Sequence, residues 1–185
     1  MRKCPCPVLV MKPGVKGRFR RIMAAIDPAV TGDARDTLNG LILELASSLS
    51  VSEEADLHIV HAWHLFGEYL LRGYGGLSAK NVDQEVRKEG YRRRQSVEGL
   101  LAKHISAPYR LHLPKGPAAQ TIPRLVSKLG IDLLIMGTVC RTGIPGFIIG
   151  NTAESVLDVV DCSVLTVKPE GFVSPVAPEI PENRA

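Results

Sequence analysis

Aromatic side chains are scarce in this 185-residue chain: Phe, Tyr and Trp together supply 5% of it. Since 45% of the residues are apolar, the core has to come from Val, Leu, Ile and Ala, the composition of a buried parallel sheet. No apolar run approaches the roughly 20 residues needed to span a bilayer. The opening "CPCPVLVMKPG" is too short and too broken by proline for the apolar stretch of a secretory leader. Cys4, Cys6, Cys140 and Cys162 follow no regular spacing, and Cys4 and Cys6 are too close in sequence to bridge comfortably. That argues against a disulfide framework and makes a reducing cytoplasm the expected compartment. No glycine loop runs into a P-loop lysine, and no nucleophile–base pairing is legible, so a dedicated hydrolase is not expected. The net charge of +4 is mild for a nucleic-acid binder.

What is present is an alternation of short apolar runs and helical patterns. "RRIMAAIDP" is an unbroken apolar run closed by Asp-Pro and reads as a buried strand. In "DARDTLNGLILELASSLS", Leu38, Leu41, Ile42, Leu45, Ala46 and Leu49 recur at helical spacing, with Asp33 placed to cap. "ADLHIVHAWHL" is a second strand, and the glycine-rich "GEYLLRGYGGLS" after it reads as a loop. A long charged helix is expected from Ser78 to about Ile105, with Val82, Val86, Val97, Leu100, Leu101 and Ile105 inward. "YRLHLPKG" alternates like a strand, and "PAAQTIPRLVSKLG" reads as a helix ending at Gly130, with Pro123 a kink position. "IDLLIMGT" is the most apolar strand, "NTAESVLDVVD" a helix and "CSVLTVKP" the last strand. Such βα alternation implies right-handed crossovers and a parallel sheet covered on both faces. Ligands of such sheets bind at the carboxyl ends of the strands, where the strand order reverses.

The stretch with chemistry in it is "IMGTVCRTGIPGFIIGNTAESV". A buried strand ends at Met136-Gly137, a loop returns to Gly150, and a helix starts at Asn151, with Glu154 three residues on as in a capping box. Glycine ahead of a helix N-terminus lets backbone N–H groups approach a phosphate, and the helix dipole favours the negative charge. Arg141 is within reach of the same phosphates.

This stretch resembles the ATP-binding motif of the universal stress protein family: Gly, two residues, Gly, nine residues, Gly, then Ser or Thr. Gly137 and Gly150 match the outer glycines, and "RTGI" and "GNTAE" are similar to the second half of tandem, E-type members. The resemblance implies an α/β fold with a five-stranded parallel sheet in the order 3-2-1-4-5, helices on both faces and an extra N-terminal strand. It divides the chain into a remnant strand and linker at residues 1–18, like the end of a preceding domain, a universal stress domain at 19–170 and a flexible tail at 171–185. It also implies a non-enzymatic stress-response protein that binds ATP, with or without Mg2+, and pairs as a homodimer. Ile26 and Asp27 stand at the adenine side, with Ala62 opposite; Met136 and Gly137 line the adenosine; Cys140, Arg141, Gly150, Asn151 and Thr152 face the phosphates.

Two positions depart from the motif. Cys140 stands at the middle glycine and adds a side chain where backbone would close on phosphate; Asn151 replaces the hydroxyl residue but keeps a donor in its amide. A nucleotide-independent dimerisation or scaffold module with a lapsed site is therefore the second reading. His61 and His64 lie three apart on a strand and point to opposite faces, which argues against a shared metal. The basic run "RKEGYRRR" is interleaved with Glu85 and Glu89 and reads as a solvated helix face, and neither nucleic acid nor a membrane is expected as a partner. Cys4, Cys6 and Cys162 are expected to be buried, inert side chains.

A short repeat remains. Cys6, Val8, Leu9, Lys12 and Pro13 recur in the same order as Cys162, Val164, Leu165, Lys168 and Pro169. A final strand is a sheet edge with unpaired backbone groups, and an orphan copy of it can satisfy that edge. Residues 8–11 are expected antiparallel against residues 164–167, within the chain or exchanged with a second copy.

Overall fold

The computed structural model describes residues 4, 6–12, 17–28, 34–73, 78–138 and 151–169. Their elements run β1 (Val8–Val10), β2 (Arg21–Ala25), α1 (Ala34–Glu53), β3 (Asp56–Val60), α2 (Glu68–Gly73), α3 (Ala79–His104), β4 (Tyr109–His112), α4 (Ala118–Leu129), β5 (Leu133–Gly137), α5 (Asn151–Val159) and β6 (Ser163–Val167). One sheet takes all six strands in the order β1-β6-β5-β2-β3-β4. The five strands from β2 onward pair in parallel, and β1 pairs antiparallel with β6. The expected five-stranded parallel sheet is thus a six-stranded mixed one, because the N-terminal strand is a full member of it.

The strands are apolar on both faces because helices cover both. Ile22, Ala24, Ile59, Leu133 and Ile135 pack with Leu38, Ile42 and Ala46 of α1 and with Val97, Leu100 and Leu101 of α3. The alternate residues Met23, Val60, Leu134 and Val164 pack with Ile122 and Val126 of α4 and with Ala153 and Val156 of α5. The period-two alternation of each strand divides its side chains between these two layers. At the amino ends of the strands, Asp132 Oδ2 accepts from the backbone N–H groups of both Arg20 and Arg21 at 2.8 Å, tying β5 to β2.

The helix ends follow their sequence signals. Ser78 caps α3 by accepting from the Asn81 N–H at 3.3 Å. Gly130 closes α4 in the left-handed region, at φ 61°, where a side chain would be strained and would also meet Arg21. α4 continues through Pro123, the sixth of its 12 residues, and forgoes one i→i−4 hydrogen bond there. Arg93 and Arg94 of the basic run pair with Glu89 and Glu98 on α3 itself, at 2.6 and 3.2 Å, as a solvated face does.

Two expectations are corrected here. The glycine-rich stretch after β3 contains α2, held by ion pairs that no periodicity announces: Arg72 with Glu68 at 3.0 Å, Arg72 with Asp83 at 2.7 Å and Lys115 with Glu68 at 2.7 Å. Of the cysteines, Cys162 is buried beneath α4 and α5, and burial pushes its thiol up to about 11. Cys6 is exposed and Cys4 half-buried, because they precede β1 on the outer edge of the sheet, where no helix covers them.

The repeated segment lies within its own chain: Val8 stands opposite Thr166, Leu9 opposite Leu165 and Val10 opposite Val164. Thr166 Oγ1 donates to the Val8 carbonyl and the Lys12 N–H donates to Ser163 Oγ, both at 3.2 Å. The edge of β6 is covered, and the free edge of the sheet on that side belongs to β1.

Candidate functional site

The order reverses between β2 and β5, the two central strands, whose successors lie on opposite sides. Their register pairs Ala25 with Met136. Two residues further along come Asp27 and Thr138, so a carboxylate and a hydroxyl follow the carboxyl ends of the two strands.

The end of β2 is held by α1 and by the end of β3. Asn39, on the second turn of α1 and 4% exposed, accepts from the Asp27 N–H at 3.0 Å through Oδ1. His61, just past β3 and buried, donates from Nδ1 to the Ile26 carbonyl at 3.2 Å, and the same nitrogen lies 3.9 Å from Asp27 Oδ1. The main chain of residues 26–27 is therefore gripped from both sides, and the Asp27 carboxyl is left half-exposed. Asn39 Nδ2, Thr138 Oγ1 and Asp36 Oδ1 are buried with no hydrogen-bond partner among the described residues. Asp36 and Asn39 are one helical turn apart on α1, so all three atoms belong to the same end of the sheet.

The residues expected from the sequence are distributed as follows. Asp27 stands at the switch point, just past β2. The Ile26 side chain is buried in the α1/α3 layer, so only its main chain faces the site, and its carbonyl is taken by His61. Gly137 lies on that same layer: a Cβ there would stand 2.9 Å from Leu38 Cδ2, so α1 packs closely over it. Ala62 and Met136 belong to the other layer, with α4 and α5. Asn151 opens α5, and Thr152 in its first turn is exposed. Cys140, Arg141 and Gly150 lie outside the described residues, as does the Asn151 side chain. Asn39, Asp36, Thr138 and His61 are contributors that the sequence reading did not select. Asn39 carried the one usable signal, an amide in an otherwise apolar helical stripe next to Leu38 and Leu41.

Among the described residues no three His, Cys, Asp or Glu side chains group as metal ligands, and His61 and His64 separate into a buried and an exposed position. No helix among them is long and apolar enough to cross a membrane.

A doubly wound sheet whose strand order reverses at its centre defines the class of open α/β domains. The family follows from comparison. The profile of the Universal stress protein family matches residues 18–168, and the chain belongs to that family. It is 26% identical over 170 residues to the Universal stress protein E homolog of Haemophilus influenzae, covering 91% of this chain and 54% of that relative. It is 27% identical over 179 residues to Universal stress protein E of Escherichia coli K12, covering 95% and 55%. The chain thus spans about half the length of these relatives, as one half of a tandem universal stress protein would. A crystal structure of a functionally unknown protein from Pseudomonas aeruginosa PAO1 is similar with a TM-score of 0.71 at 31% identity, covering 91% of this chain and 54% of that one. A universal stress protein from Archaeoglobus fulgidus shares the fold at 15% identity with a TM-score of 0.55, covering 81% and 99%.

Proposed function

We propose that this domain binds an adenine nucleotide, ATP in the first instance, as a regulatory ligand in the crevice between β2 and β5. The observation that carries the reading is the half-exposed Asp27 carboxyl at the switch point between β2 and β5, with its main chain held by Asn39 and His61. Asp27 is suited to a ribose hydroxyl or an adenine amino group, both of which donate to a carboxylate. Universal stress proteins of the same fold have been solved in complex with cAMP and with dAMP; at 16% and 14% identity they support a choice of ligand class by fold alone. The adenine then lies between Asp27 and Ala62, and the phosphates extend toward Gly137 and the start of α5 at Asn151 and Thr152, with Cys140, Arg141 and Gly150 from the motif. Mg2+ accompanies the phosphates where ATP is the ligand. The nucleotide is a bound signal rather than a substrate in this reading, and the protein is a cytoplasmic stress-response module that presents a different partner surface when occupied.

Self-association belongs to the same proposal. Because β1 covers β6, a homodimer through the final strands needs β1 to be exchanged between copies or to pair along its own free edge.

Isothermal titration with ATP and Mg2+, alongside adenosine, tests the ligand. Asp27→Ala should weaken ATP and adenosine alike, whereas Arg141→Ala should weaken ATP more than adenosine. Absence of heat at millimolar ATP overturns the proposal in favour of the nucleotide-independent scaffold.

A further inference from the structure

Ahead of β1 the chain brings two thiols together: Cys4 Sγ lies 3.5 Å from Cys6 Sγ. Cys6 is exposed and Cys4 half-buried, so small molecules in solution can reach the pair. Cys6 lies two residues ahead of Val8, which pairs with Thr166. Lys168, just past β6 and 6% exposed, places its positive charge within electrostatic range of Cys4. The backbone N–H of Cys6 and then its thiol hold Cys4 below the ordinary thiol value, while the same pairing raises Cys6. The lowered thiol, Cys4, is the one nearer the positive charge of Lys168.

We propose that Cys4 and Cys6 form a redox-active dithiol that closes reversibly to an intramolecular disulfide on meeting an oxidised low-molecular-weight disulfide such as oxidised glutathione. The Cys4 thiolate attacks one glutathione sulfur, breaks the glutathione disulfide and releases one glutathione thiolate. Cys6, losing its proton to solvent or to that thiolate, attacks the Cys4 sulfur and releases the second glutathione. The protein gives up two electrons and two protons, and one oxidised glutathione becomes two reduced ones. Two residues of extended chain span about 7 Å between Cα atoms, at the upper limit of disulfide geometry. A bridge across one residue is consequently strained, which places it among the labile, switch-like disulfides rather than the structural ones. Cys162, buried and raised to about 11, is the internal reference that does not react. The inference does not depend on nucleotide binding.

The test equilibrates the full chain with graded ratios of oxidised to reduced glutathione, quenches with acid, alkylates the unfolded protein and maps the peptides by mass. The expected result is conversion of the Cys4–Cys6 peptide from a doubly alkylated form to an unalkylated one lighter by two hydrogens, fully reversed by dithiothreitol, while Cys162 stays alkylated throughout. Cys6→Ser, which removes the resolving thiol, should instead trap a glutathione adduct on Cys4. Glutathione adducts on the parent protein in place of the ring, disulfides between chains, or thiols that stay reduced over the whole range would each overturn the proposal.

Discussion

His58 Nδ1 lies 2.9 Å from His112 Nε2, joining β3 to β4 through two imidazoles whose planes are within 5° of parallel. One ring must donate and the other accept, so the bond cannot survive with both rings protonated. Burial first, then the neighbouring His112 and Arg110, lowers His58; burial and then Arg110 lowers His112. Asp56 opposes the shift of His58 and Arg21 adds to it.

Both folded-state values lie below the ordinary 6.5, so the folded protein binds fewer protons than the unfolded chain. The contribution is therefore complete above about pH 6.5 and is lost as the pH falls through that value toward the folded ones. The melting temperature should drop from about pH 7.5 to about pH 5, and His112→Gln should flatten that slope. Parallel slopes for parent and variant would show that other groups set the acid limit.

Asn39→Ala should cost about 1 kcal/mol in urea unfolding, since it removes the acceptor of the part-buried Asp27 N–H, along with an Nδ2 that has no partner among the described residues. The same variant should weaken ATP in calorimetry, because the main chain at residue 27 loses its support. An Asn39→Ala protein with full affinity would take this amide out of the ligand site.

Gly137→Ala places a methyl 2.9 Å from Leu38 Cδ2 and 3.6 Å from Ile42 Cδ1. The cost should be roughly 1 kcal/mol, at the low end for overpacking, because the nearest atom ends a side chain. That corresponds to a melting temperature about 2–4 °C lower in a protein of this size. Leu38→Ala in the Gly137→Ala background should recover part of the strain and show non-additivity. Unchanged stability with lost ATP affinity would instead assign the glycine to the ligand.

Deleting residues 1–17 should expose the β6 edge and remove the bonds from Thr166 to Val8 and from Lys12 to Ser163. Val8 and Val10 are half-buried and Leu9 is 45% exposed, so each valine contributes about half of the ~1.5–3 kcal/mol of a fully buried side chain. A lower melting temperature, together with a concentration-dependent rise in mass by light scattering, is the expected outcome. If neither quantity changes, β1 is dispensable to the sheet and to association.

The alternation of strands and helices was legible because it is written in local periodicity: "RRIMAAID" and "DLLIMGT" are unbroken apolar runs, and Leu38, Ile42 and Ala46 recur at one helical face. Helix ends at Ser78 and Gly130 were legible for the same reason, as capping is decided within a few residues. α2 was not, because Arg72–Asp83 and Lys115–Glu68 join residues far apart in sequence and outweigh the glycines of that stretch.

For the crevice, the sequence by itself determined that Asp27 and Gly137 end strands in a parallel α/β domain, and that β1 and β6 carry related segments. Only the tertiary structure decided what those residues face. The strand pleat sends Ile26 and Gly137 to one layer and Ala62 and Met136 to the other, whatever their motif positions. The seat of α1 on the sheet brings Asn39 onto the Asp27 N–H, while Asp36 Oδ1 and Thr138 Oγ1 have no partner among the described residues. The outer position of β1 leaves Cys4 and Cys6 uncovered while Cys162, on the same repeat, is buried. Periodicity reports which face of an element is apolar; which partner that face meets depends on the packing of segments distant in the chain, and that is fixed only when the sheet closes.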